Sequence, residues 1–356
     1  MKKKVLLGFV AVLMVVGLAV VGCAPAPTPA PTPTPTPAPE PIELTLSAHY
    51  PASHPMNTDA YEVWAKMVEE VTDGKVEVSV FPGSTLTNVM ESYDATVAGV
   101  CDIAMVPQSF EPERFPLTMV MNAPLGLPNA VVSGKVGWDL YQKFPEIQAE
   151  YADVKLLFFY STSAYQLHTV KKPIYTKEDV EGLLIRCGGP TDAAVTEALG
   201  GVAQFIPMPD TYLALEKGVL DGHMSPFGPM PGFKLTEVLF NHLENGNFHT
   251  NIFGVVMNLD KWNSLPSDIQ EAIEGISGTA AAELFGSVFD GTDTVAIQAM
   301  KDKGDTFTSL SPEEKAKWDN ILAVILDDWV KECETKGLPG QEVLDEALRL
   351  NKKYSE

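Results

Sequence analysis

The chain has 356 residues, 25 basic and 47 acidic side chains, and a formal charge of -22. Phosphates of nucleic acid and anionic lipid headgroups both repel so acidic a chain, which makes it a poor candidate for electrostatic docking on either. An apolar fraction of 45% supports packed cores, the length suits two lobes, and four cysteines are too few for a disulfide scaffold.

Lys2, Lys3 and Lys4 precede an apolar run from Val5 to Val21, and Val20-Val21-Gly22 leads directly into Cys23. This resembles a bacterial lipobox. It predicts a lipoprotein signal peptide over residues 1–22 and lipidation of Cys23, with an uncleaved anchor as the alternative. Loss of residues 1–22 removes three lysines and no acids, which takes the charge from -22 to -25. The protein is then exported and held by lipid at the outer face of the cytoplasmic membrane or in the periplasm. Nine of the 28 prolines occupy the odd positions from Pro25 to Pro41, so residues 23–41 form no core. They predict a polyproline tether with a reach of roughly 55 Å.

Beyond the tether, strand and helix patterns alternate. Ile42 to His49 and Val76 to Phe81 read as strands, separated by a helical stripe of Tyr61, Trp64, Val68 and Val71 that ends at Gly74. Val89 to Val97 reads as a helix, and Asp102 to Val106 and Val154 to Tyr160 as buried strands. The rhythm resumes with strands over Leu183–Cys187, Gln204–Pro207 and Gly222–Ser225 and helices over Asp192–Leu199 and Asp210–Lys217. The pattern predicts α/β sheets flanked by helices. The last third is helical, with capping-box starts at Ser267 and Ser311 and an apolar stripe of Trp318, Leu322, Ile325 and Trp329. His242 and His249 flank Glu244-Asn-Gly-Asn247 and read as hairpin residues.

No nucleophile elbow, zinc motif or phosphate loop is present in the sequence, and the six histidines lack ligand spacing. The expectation is therefore no catalytic residue, no metal and no cofactor. Arginine is scarce: Arg114, Arg186 and Arg349 stand against 22 lysines. Arg114 has acids beside it in Glu111-Pro-Glu-Arg-Phe, and Arg349 lies on a solvated helix face. Arg186 sits inside the apolar strand Leu183-Leu-Ile-Arg-Cys187, before Gly188-Gly189-Pro190. A buried guanidinium needs a partner, either an internal acid or a ligand carboxylate held by two parallel hydrogen bonds. The glycines let a ligand approach the backbone, and sites in such sheets lie at strand carboxyl ends.

Several stretches together resemble the substrate-binding proteins of tripartite ATP-independent periplasmic (TRAP) transporters, the DctP family. They are His54-Pro55, Gly74-Lys-Val-Glu-Val-Ser-Val-Phe-Pro82, Ala98-Gly-Val-Cys-Asp-Ile-Ala104, Glu181-Gly-Leu-Leu-Ile-Arg186, Pro209 to Gly222, and Trp262-Asn-Ser-Leu-Pro266. The resemblance implies a two-lobed, periplasmic-binding-protein-like α/β fold of type II-like TRAP form, with hinge strands and a long helix spanning both lobes. Residues 42–163 with about 251–290 would form lobe I, and 164–250 with about 291–356 lobe II. Arg186 matches the arginine that clamps a ligand carboxylate. Met208, Ser225, Gln108 and His54 fall at or near lining positions, and Gln166 stands where some sialic-acid-binding relatives carry a second arginine. The implied function is capture of a small organic acid, a mono- or dicarboxylate with an apolar or aromatic body, and its delivery to TRAP permease subunits. The alternatives are a ligand-sensing protein for another importer or a sensor kinase, or an extracellular α/β enzyme.

Overall fold

The computed structural model describes residues 40–356. The expected signal peptide, Cys23 and nearly all of the tether lie outside them. Within the described residues the strands are β1 (Ile42–Ser47), β2 (Val76–Phe81), β3 (Ile103–Pro107), β4 (Val154–Ser161), β5 (Gln166–Thr169), β6 (Leu184–Cys187), β7 (Val202–Phe205), β8 (Gly222–Ser225), β9 (Asn241–Leu243), β10 (Ile252–Asn258) and β11 (Thr306–Thr308). They form two sheets, in the orders β2-β1-β3-β10-β4 and β11-β9-β5-β8-β6-β7. Each sheet is the centre of one lobe.

In lobe I, β1 pairs parallel with β2 and β3, and β10 lies antiparallel between β3 and β4. The inner strands are buried on both faces, which fits their unbroken apolar runs Ile103–Pro107 and Ile252–Met257. One face packs Leu44, Trp64, Phe158 and Phe285 into a core, and the other packs Phe115, Tyr151, Phe159 and Ile252. Lobe II repeats the plan on a smaller scale. One of its cores gathers Ile185, Val195, Met224 and Trp318, the other Leu215, Phe227, Met230 and Met300.

Besides the long helix that carries the chain from β10 back to β11, two short crossings join the sheets, from β4 to β5 and from β9 to β10. The crossings are stitched together, since Tyr165 N donates to His249 O (2.7 Å) and Thr162 N donates to Asn251 O (3.0 Å). His242 and His249 therefore do not face each other in a hairpin. His242 lies in β9 and His249 in the second crossing, because the strand after the glycine turn joins the other sheet.

Two long helices touch both lobes. Gly278–Lys303 buries Ala281, Phe285 and Phe289 in lobe I and Ala296 and Met300 in lobe II. Pro312–Thr335 buries Trp318 and Leu322 in lobe II and Val330 and Cys333 in lobe I. Its start is the expected cap: Ser311 Oγ accepts from Glu314 N (3.1 Å). The helix Ser267–Gly275 begins differently, with Pro266 at the cap position and no side-chain cap. The final helix, Gly340–Ser355, packs Val343, Leu344, Ala347 and Leu350 into lobe I, against the helix Ala130–Lys143. The sequence reading puts this segment with lobe II, since an amphipathic stripe specifies that a face is buried but not against what.

Candidate functional site

Arg186 lies on β6, between β7 and β8. Register places it opposite Gln204 on one side and His223 on the other. The rung continues through His168 and His242 to Phe307, so six side chains share one face of the lobe II sheet. The opposite face takes Ile185 and Met224 into a core, so alternation along β6 leaves the guanidinium no apolar alternative.

Arg186 is 8% exposed. Its Nε donates to the Ile206 carbonyl at 2.7 Å. Arg114 and Arg349 are paired with Asp94, Glu111 and Glu346, but among the described residues no carboxylate lies within ion-pair distance of Arg186. Burial pushes its pKa down, and the Asp192 charge acts against that. The side chain curls over the turn that follows: a Cβ built on Gly188 would sit 2.9 Å from Nη1. A Cβ on Gly189 would meet Ser109 of lobe I at 3.6 Å. The guanidinium is thus covered by a glycine turn that faces the other lobe.

Asp192, in the first turn of the helix Pro190–Ala198, fixes that turn. Its Oδ2 accepts from Gly188 N (2.6 Å) and its Oδ1 lies 3.0 Å from His249 Nε2. The His249 ring packs on Tyr165, centroids 4.3 Å apart. Both interlobe crossings therefore reach the arginine turn through one acid and one aromatic ring. Burial raises the Tyr165 phenol, which stays a neutral donor. Burial also pushes His223 well below the usual imidazole range, with the Arg186 charge adding to the effect. Neither ring nitrogen of His223 has a hydrogen-bond partner.

The six residues singled out by sequence are not all gathered here. Met208 is half-buried, two positions past the Ile206 carbonyl that holds Arg186. Ser225 is two positions past His223, with its Oγ donating to Pro226 O (2.8 Å) and its carbonyl facing His168 Nε2 (3.0 Å). Gln166 is engaged elsewhere: its Nε2 donates to Asn247 Oδ1 (2.6 Å) and its Oε1 accepts from Asn247 N (3.1 Å). Gln108 is fully buried, with a Cβ on Gly254 falling 2.6 Å from its Nε2, and the neighbouring Ser109 is the side chain that faces lobe II. His54 lines a separate cavity of about 590 Å³ between the lobes, with Pro51, Asp59, Gly232, Thr292 and Val295. Its Nδ1 accepts from Met56 N (3.1 Å), and burial pushes its pKa down to about 4. Tyr165, Asp192, His223 and His249 were missed. The alternation that isolates Arg186 also aligns His223 with it, but register between strands is not written in either strand.

Residues 46–332 match the DctP family, described as bacterial extracellular solute-binding protein, family 7. The chain belongs to that family. This solute-binding protein is 28% identical over 272 residues to the C4-dicarboxylate-binding periplasmic protein DctP of Rhodobacter capsulatus, covering 74% of this chain and 79% of that one. It is similar to the solved structure of a marine-metagenome TRAP solute-binding protein specific for aromatic acid ligands, in complex with 3-hydroxybenzoate (TM-score 0.83, 26% identity, 89% of this chain and 99% of that one). It is also similar to a TRAP periplasmic solute-binding protein of Bordetella bronchiseptica with bound mandelate (TM-score 0.81, 27% identity, 88% and 100%). The family's members are solute-binding proteins, so this TRAP solute-binding protein is not an enzyme and its two lobes are the family's fold. Among the described residues no group of three or more His, Cys, Asp and Glu could hold a metal ion, and no helix is long and apolar enough to cross a membrane.

Proposed function

We propose that this protein captures a small organic acid between its lobes and delivers it to TRAP permease subunits, with Arg186 gripping the carboxylate. The observation that carries the reading is the state of Arg186: buried, held by Nε alone, and without an acid at ion-pair distance. A buried guanidinium in that state is costly by several kcal/mol unless an anion completes it. A carboxylate is the matching planar group, and the terminal nitrogens form its fork. Gly188 and Gly189 leave room for the approach, and Tyr165 offers an aromatic wall beside the charge. The relatives crystallised with 3-hydroxybenzoate and mandelate support an acid with an aromatic body. The lipid on Cys23 and the proline tether keep the captured acid close to the membrane.

Thermal unfolding of the purified chain in the presence of a panel of organic acids tests this. A ligand at 100 times its dissociation constant adds about 2.7 kcal/mol of stability. The best acid stabilises the native chain and leaves Arg186→Ala unshifted. An equal shift in both proteins overturns the clamp.

A further inference from the structure

We infer that the Arg186 site selects for a single negative charge, and that Asp192 enforces this by rejecting a second carboxylate. The inference rests on the reading of Arg186 as the ligand clamp and goes beyond it to the charge class of the ligand. The titratable groups that act on Arg186 are Asp192, Tyr165 and Cys187. One is an acid and two are neutral, with burial raising Tyr165 and holding the Cys187 thiol up at about 11. No lysine or second arginine is among them. His223, opposite Arg186 in register, is kept neutral by burial and by the same guanidinium. These groups around the Arg186 turn therefore comprise one cation, neutral side chains and one fixed anion.

Asp192 cannot move aside. It is 4% exposed, its Oδ2 is held by Gly188 N, and its Oδ1 is enclosed beside His249 Nε2, 3.0 Å away. Its carboxylate is anchored to the backbone amide of the same Gly188 over which Arg186 curls. A ligand's first carboxylate gains the guanidinium through two parallel, charge-assisted hydrogen bonds. A second carboxylate finds no cation, loses its hydration and meets Asp192 in a low-dielectric setting, where like charges repel strongly. The cavity lined by His54 offers no refuge, because its ionisable lining side chains are His54 and the acid Asp59. Gln166 adds no cation either, and its amide is committed to Asn247.

The test uses matched pairs on the full-length chain: benzoate against terephthalate, and butyrate against succinate, by calorimetry. The monocarboxylate of each pair binds at least ~10-fold tighter, equivalent to one decade in the equilibrium constant. In Asp192→Asn, which keeps an acceptor for Gly188 N, both members bind more tightly and the ratio falls to within about threefold. Ser109→Lys supplies a second cation from lobe I opposite Gly189, and it inverts the ratio. This second variant decides the matter if Asp192→Asn does not fold. A dicarboxylate that binds as tightly as its partner in an Arg186-dependent way overturns the inference, as does a ratio unmoved by both variants. Binding that survives Arg186→Ala is a different failure, that of the clamp itself.

Discussion

His168 Nδ1 lies 3.0 Å from His242 Nδ1, fully buried, on the same rung of the lobe II sheet as Arg186. The Ser225 carbonyl can only accept, so His168 Nε2 donates to it and His168 Nδ1 carries the lone pair. His242 Nδ1 must then donate. That leaves His242 Nε2 facing Asp305 Oδ2 at 3.3 Å, an oxygen that Lys303 also contacts at 2.9 Å. In the neutral row that nitrogen brings a lone pair to Asp305, and Lys303 supplies the donor the carboxylate needs.

The pH dependence follows from the His242 side. Burial, with the Lys303 charge, pushes His242 down to about 4 from an unfolded value near 6.5. Its contribution is present above pH 6.5 and is lost as pH falls toward 4, because the unfolded chain gains a proton that the folded ring refuses. The loss is on the order of 3 kcal/mol. Melting temperatures at pH 7.5, 6 and 4.5 should fall with acidity, and His242→Gln should flatten the acid limb.

Asp293 has the opposite sign. It lies on the helix shared by the lobes, where its oxygens accept from Ser163 Oγ (2.6 Å) and Gly228 N (2.6 Å). Burial raises its pKa to about 6. Stability linked to this carboxyl is present below pH 4 and is lost as pH rises through 6. Asp293→Asn should therefore match the parent chain at pH 4 and exceed it in melting temperature at pH 7.5.

Gly188 is where a methyl group should silence the site without unfolding the lobe. The added Cβ would displace the flexible end of Arg186 rather than backbone. Gly188→Ala should bind its best acid ~10-fold or more weakly while stability changes by less than about 1 kcal/mol. Gly189→Ala makes only an ordinary contact with Ser109 and should bind more nearly like the parent. Calorimetric titration of the two variants separates these outcomes.

Gly286 should show the reverse behaviour. A Cβ there falls 2.7 Å from the Val131 backbone, where Asp290 Oδ1 also accepts from Ala130 N (2.9 Å). Two helix backbones meet with no flexible atom to yield. Gly286→Ala should cost about 1–3 kcal/mol, read by denaturant unfolding.

The fold was legible wherever periodicity and punctuation agreed. Alternation at Val76, Val78 and Val80, the stripe through Trp64 and Val68, and Ser311 before Pro312 each specify an element locally. The strand read at Gln204–Pro207 lies two residues earlier, at Val202–Phe205, because parallel pairing with Leu184–Cys187 sets its frame. Arg186 was legible because a charge in an apolar strand is itself a signal. Tyr165 and His223 reach it by a chain crossing and by register, long-range facts that composition does not encode, whereas Asp192 is local, four residues past the Gly188 amide it accepts from. Gln108 and Gln166 both have the polarity of pocket residues; the Gln166 amide is committed to Asn247, whereas the Gln108 amide is buried without a hydrogen-bond partner.

Two unbroken rods, Gly278–Lys303 and Pro312–Thr335, are each embedded at one end in lobe I and at the other in lobe II. Any swing of one half against the other must flex both, in the manner of a leaf spring clamped at each end. On the reading proposed above, closing over an acid loads that spring and reopening unloads it, so the scaffold itself resists closure.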